Sequence, residues 1–212
     1  MKIGSLFFAG AALLFGSATF AQDYPKIEVP LNYSYMRFNP ENSNIVSGFS
    51  LNGGGGGVTV YVNHWLGIQA DFQGYMSTTR TFTFPATPNS PCPTGCTLRS
   101  SGDLFTYNVG PIIKYRSEHF EPFVETLFGG AHSNAYHNLF KACQSFCTTT
   151  DNPSNNGWDF VIGGGIDIPL SKSIAIRPAQ VDFVLTRFGN AFTSGNNNQS
   201  NLRYNGGIVF RF

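Results

Sequence analysis

Four cysteines at matched spacing are the residues of this chain best placed for covalent or metal chemistry: Cys92 with Cys96, and Cys143 with Cys147. Each pair forms a C-x3-C, and four thiols allow a zinc site or three disulfide pairings. Zinc would need all four brought together as thiolates. In an oxidising compartment disulfides are expected instead, either as two local loops or as a cross-link between the two segments. His132 and Ser133 put a base beside a hydroxyl, the pairing that nucleophilic catalysis uses. Neighbours on a strand point to opposite faces, so His132 does not serve Ser133 without a bulge, although His137 or Glu125 could lie near. No catalytic residue is assigned. His64 and His119 share no ligand spacing, so no metal site is assigned either. The run Gly53–Gly57 lacks the following lysine and helix of a phosphate loop, and no cofactor is expected.

The elements that must carry these residues are strands. With 24 Gly and 12 Pro, no stretch keeps a helical apolar rhythm for three turns. Alternation gives eight segments: Lys26–Phe38, Leu51–Asn63, Leu66–Thr79, Asp103–Tyr115, Phe120–Tyr136, Trp158–Ile168, Ile174–Arg187 and Leu202–Phe212. In the fourth, Phe105, Tyr107, Val109 and Ile113 oppose Thr106, Asn108, Gly110 and Lys114. The last sets Leu202, Tyr204, Ile208, Phe210 and Phe212 against Arg203, Asn205 and Arg211. Such strands need an apolar medium on one side and a polar one on the other.

The front of the chain states where that medium is. Lys2, the apolar stretch Ile3 to Phe15 and the ending Thr19, Phe20, Ala21 form an export signal with cleavage after Ala21, leaving 22–212 as a single domain. The apolar run is too short for a spanning helix of about 20 residues. Charged residues make up only 12% and aromatics 15%, where soluble domains carry about 25% charge. Loss of Lys2 turns 13 basic and 12 acidic residues into 12 of each, so nothing points to nucleic acid as a partner.

Connections alternate in length. Those after the second, fourth and sixth strands are short, whereas Asn39 to Ser50, Arg80 to Gly102, His137 to Gly157 and Phe188 to Asn201 are long. Short turns on one side and long loops on the other imply an eight-stranded antiparallel up-and-down transmembrane β-barrel, with short periplasmic turns and extracellular loops. Trp65 and Tyr115 would then sit in the lower aromatic girdle and Trp158 and Tyr107 in the upper. The inner face would hold Glu28, Asp71, Lys114, Glu125, Asp159, Asp167, Asp182, Arg203 and Arg211. Placing an Arg or Lys in lipid instead would cost about 2 to 4 kcal/mol at the midplane. These groups could form a conducting or proton-relay path. In a bore about wide enough for side chains alone, an ion-pair network that fills the barrel is the favoured reading. Arg177 and Arg187 share the parity of Val181 and Phe183, so they lie beyond the hydrocarbon or need a bulge to turn inward.

Tyr204, Ile208, Phe210 and Phe212, together with Val181 to Phe188, make the chain resemble the small outer-membrane barrels of the OmpA and OmpX type. The resemblance implies a Gram-negative outer-membrane location and a terminal signature read by the barrel-assembly machinery. It also implies contact with outer-membrane lipid and lipopolysaccharide, and a structural, non-enzymatic role with loops that meet an extracellular ligand the sequence does not identify. Full OmpA proteins continue into a wall-binding domain, whereas this sequence stops at Phe212, so anchoring by that domain is not expected. A small channel is the alternative. A second alternative comes from His132, Ser133 and Asn134, which resemble the His-x-Ser-Asn motif of lipid A deacylases, but with the two reactive residues adjacent.

Overall fold

The computed structural model describes residues 24–38, 49–76, 80–84, 96–100, 103–133, 156–188 and 198–212. The expected export signal, Cys92, Cys143, Cys147 and His137 lie outside the described residues, and Cys96 is described only as the first backbone position of a strand.

Period-two alternation produces strands β1 (Ile27–Phe38), β2 (Phe49–Tyr61), β3 (Leu66–Met76), β4 (Arg80–Phe84), β5 (Cys96–Ser100), β6 (Asp103–Lys114), β7 (Glu121–Ser133), β8 (Asn156–Pro169), β9 (Ile174–Phe188) and β10 (Asn198–Arg211). Eight of them close, each antiparallel to its neighbours, in the order β1-β10-β9-β8-β7-β6-β3-β2. The terminal strand completes the ring as its sequence requires: Glu28 pairs with Arg211 and Tyr35 with Tyr204. At the seam, the Phe212 amide donates to the Ile27 carbonyl at 2.9 Å and the Ile27 amide to the Phe212 carbonyl at 3.2 Å. Closure removes the open edges that hydrocarbon would not tolerate.

β4 and β5 depart from the expected single loop over Arg80 to Gly102. They pair with each other in a separate two-stranded sheet, Arg80 opposite Ser100 and Phe84 opposite Cys96. Thr81, Phe82, Thr83 and Phe84 are β-branched and aromatic and favour extension. Their strands are too short to span a bilayer, so a search for spanning segments passes over them.

The short connections are closed by side chains. Oδ1 of Asn63 accepts from the amides of Trp65 and Leu66 at 2.9 and 2.8 Å, and Oγ of Ser171 accepts from the amide of Ile174 at 3.1 Å. These are the local bonds that make Asn and Ser good turn residues. One strand breaks its alternation. On β9, Arg177 and Gln180 both face inward, with Gly207 opposite the first and Asn205 opposite the second. Pro178 and Ala179 form the bulge that absorbs the extra residue.

Candidate functional site

Among the described residues, the outer wall carries no charge between its two rims. Leu31, Tyr33, Ile68, Phe72, Phe105, Val109, Val124, Phe128, Ile162, Val181, Phe183 and Ile208 all project outward and are exposed. On β1 the uncharged wall runs from Lys26 at the short-turn end to Arg37 at the loop end. At about 3.3 Å per residue and a tilt near 40°, that is roughly 25 Å, the height of a hydrocarbon core. Trp65 and Tyr115 are exposed at the short-turn end. Tyr107 and Trp158 are exposed nearer the loops, where Trp158 pairs with Arg187.

All nine inner-face residues of the sequence reading lie buried inside the bore. They separate into two ionic layers and one isolated carboxylate. At the short-turn end, Lys114 of β6 meets Glu28 of β1 in a close ion pair and Asp167 of β8 at 2.7 Å. Arg177, turned inward by the β9 bulge, grips both oxygens of Asp167 at 2.7 and 3.0 Å and lies 4.1 Å from the Phe123 ring. Arg211 of β10 pairs closely with Glu121 of β7. Arg116, in the turn after β6, reaches Glu28 at 3.1 Å and covers the Tyr61 ring at 4.4 Å.

The second layer is built around one guanidinium. Nε of Arg203 is 2.7 Å from Oδ2 of Asp182 on the neighbouring β9, and Nη1 reaches across the bore to Asp71 of β3 at 3.1 Å. Nη2 lies 3.8 Å from Glu125 of β7. Amides complete the cage: Nε2 of Gln69 donates to Glu125 at 2.8 Å, Nε2 of Gln180 to Glu125 at 3.0 Å, and Nδ2 of Asn205 to Asp182 at 2.9 Å. The pairing is what makes such burial tolerable, because an unpaired buried charge costs several kcal/mol.

Above these layers an apolar cluster shares the bore with the buried polar side chains of Thr106, Ser133, Asp159, Thr186 and Asn201. Met36, Leu51, Leu104, Leu127, Ala131, Val161 and Val184 pack with Tyr75, whose hydroxyl is 2.9 Å from that of Ser34. An apolar belt inside the bore is not part of the sequence reading. Met36 and Val184 do share parity with buried polar neighbours, Ser34 and Asp182. Lys114, Arg203, Tyr75 and Met36 expose 0% of their surface, so side chains fill the bore at each of these levels.

Two charged members, Glu121 and Arg116, escape the sequence reading. Glu121 has the parity of Glu125, a signal masked by the apolar Phe123 between them. Arg116 sits in a turn where parity does not apply. Arg177 takes the second of its two expected places, turned inward by a bulge. Arg187 stays exposed at the loop end of β9. The candidate catalytic pair is divided as strand geometry dictates: His132 projects outward with Nδ1 2.7 Å from Oδ1 of Asn156, and Ser133 is buried facing inward. Among the described residues no three His, Cys, Asp or Glu side chains are grouped to hold a metal ion.

No family model matches the chain, and no curated protein matches it. Among solved structures it is similar to Neisserial surface protein A, with a TM-score of 0.57 at 8% identity, covering 88% of this chain and 97% of that one. It is also similar to the outer membrane protein OprG from Pseudomonas aeruginosa, with a TM-score of 0.54 at 10% identity, covering 89% and 97%. Only surroundings of lipid allow a wall this apolar to face outward while the bore takes up the charge, and the chain has the fold of the small eight-stranded β-barrels of the bacterial outer membrane.

Proposed function

We propose that the chain is a non-conducting, non-enzymatic outer-membrane barrel that adds to the structure of the envelope and presents its long loops for adhesion or ligand contact. The observation that carries this reading is the filled bore, in which Lys114, Arg203 and Tyr75 have no exposed surface at successive levels. A water-filled pore needs a wider barrel than eight strands give. In this reading the outer wall binds outer-membrane lipid and lipopolysaccharide, and Cys92, Cys96, Cys143 and Cys147 brace the loops as disulfides. Tyr204, Ile208, Phe210 and Phe212 form the row that the assembly machinery reads.

Two measurements on the refolded full chain test this function. In planar bilayers it should give no steady conductance, and lipid A from cells expressing it should keep its mass. Discrete conductance steps would replace the proposal with a channel, and a mass change lost in Ser133→Ala would replace it with a lipid A hydrolase. Adhesion of expressing cells to coated surfaces should fall when residues 139–155 are shortened, and unchanged adhesion would remove the loops from the role.

A further inference from the structure

Among the described residues, the buried carboxylates each have a basic side chain within 4 Å, with one exception. Lys114 serves Glu28 and Asp167, Arg211 serves Glu121, and Arg203 serves Asp71, Glu125 and Asp182. Asp159, 0% exposed on β8, makes no such pair. Arg203 forms its ion pairs with Asp71, Glu125 and Asp182 and none with Asp159.

An amide holds Asp159 instead. Its Oδ2 accepts from Nδ2 of Asn108 at 2.9 Å. Its Oδ1, the Oδ1 of Asn108 and the Oγ1 of Thr106 are all buried without a hydrogen-bond partner. Thr106 and Asn108 follow each other on the inner face of β6, and Asp159 stands on β8, so β7 runs between them. Gly129 of β7 is the residue opposite both Asn108 and Asp159. A Cβ at Gly129 would come within 2.6 Å of Oδ1 of Asn108, so the glycine is what lets the amide reach across the strand. Leaving one full charge and several acceptors unpartnered in a low-dielectric wall costs several kcal/mol. All the free atoms are hard oxygens, the donor type that sodium, magnesium and calcium prefer. Their single formal negative charge matches one positive charge, not two.

We propose that Asp159, Asn108 and Thr106 bind a sodium-type monovalent cation inside the barrel wall, as a structural ion enclosed when the barrel closes. The ion would neutralise Asp159 and satisfy the two neutral oxygens beside it.

The test compares the full chain refolded in zwitterionic detergent in sodium chloride with the same chain refolded in choline chloride, at equal ionic strength and fixed pH. The thermal midpoint is read from the mobility shift between folded and unfolded protein. The wild type should melt several degrees higher in sodium, with a saturable concentration dependence. Asp159→Asn, which keeps the shape and removes the charge, should melt alike in both salts. Thr106→Val removes one oxygen and should need about tenfold more sodium for the same stabilisation, equivalent to about 1.4 kcal/mol. Should Asp159→Asn fail to fold, the wild-type and Thr106→Val curves decide. Equal wild-type midpoints in the two salts, as a protonated Asp159 or a bridging water would give, overturn the proposal. So does a sodium effect of the same size in Asp159→Asn or Thr106→Val.

Discussion

The hydroxyl of Tyr204 donates to the carbonyl oxygen of Pro178 at 2.8 Å, on the outward face where β9 bulges. The bulge turns Arg177 inward to Asp167, and it leaves Pro178 paired with no residue of either neighbouring strand. In hydrocarbon an unsatisfied backbone group costs several kcal/mol. Tyr204 therefore makes the bulge affordable in lipid, and through the bulge it places a cation in the short-turn ionic layer.

Tyr204→Phe separates this role from that of an aromatic assembly signal. The ring is kept and the hydroxyl lost, so insertion should proceed at the wild-type level while the folded barrel loses about 1 to 3 kcal/mol. Urea unfolding in lipid vesicles measures the second quantity, and membrane-fraction yield the first. An unchanged urea midpoint would show that the Pro178 carbonyl has another partner.

Arg203→Met should be among the most damaging single changes in the bore. It removes the guanidinium held between Asp71, Glu125 and Asp182 and leaves three carboxylates facing one another. Removing one partner of a buried pair costs about 3 to 5 kcal/mol. Adding Glu125→Gln should recover part of that loss, because the neutral amide still accepts from Gln69 while relieving repulsion. Thermal midpoints of the two single variants and the double variant form the cycle, and strict additivity would mean that Arg203 and Glu125 do not interact.

Alternation made the eight spanning strands legible because each must be apolar on one side and polar on the other over its whole length. The same rule placed Glu28, Lys114, Asp159 and Asp182 inside. It decides nothing where the rule itself is suspended. At Arg177 it left two places open, and the residue inserted at Pro178 and Ala179 turns the side chain inward. Arg116 stands in a turn, where no alternation exists, yet it reaches Glu28 and Glu121. The pairing of Arg203 with Asp71 joins residues far apart in sequence across the bore, and parity alone names the face of each without naming the partner.

The glycine run of β2 gives a test of register at neighbouring positions. A Cβ at Gly53 would strike the carbonyl oxygen of Gly74 and come within 2.9 Å of the Tyr75 Cα, all backbone of β3. At Gly54 the same atom would meet only the Asn32 carbonyl oxygen, at 3.1 Å. Gly53→Ala should therefore destabilise the barrel by about 1 to 3 kcal/mol through overpacking, and Gly54→Ala by less than about 0.5 kcal/mol. Urea midpoints compare them directly, and a reversed order would mean that β2 sits one residue out of register with β3.

Arg116 closes the short-turn end of the bore, and its removal asks whether that closure is the one that matters. Its Nε donates to the His64 carbonyl at 3.0 Å, its guanidinium lies over Tyr61, and Glu28 and Glu121 hold Nη1 at 3.1 and 3.6 Å. The side chain is 12% exposed, at the edge of water, so Arg116→Ala should lower stability by only about 1 to 2 kcal/mol. It should not open the barrel, because Lys114 and Arg203 still fill the levels above it. Bilayer recordings of Arg116→Ala should stay as silent as those of the wild type. Discrete openings in the variant alone would make Arg116 the gate of a channel and the layers above it passable.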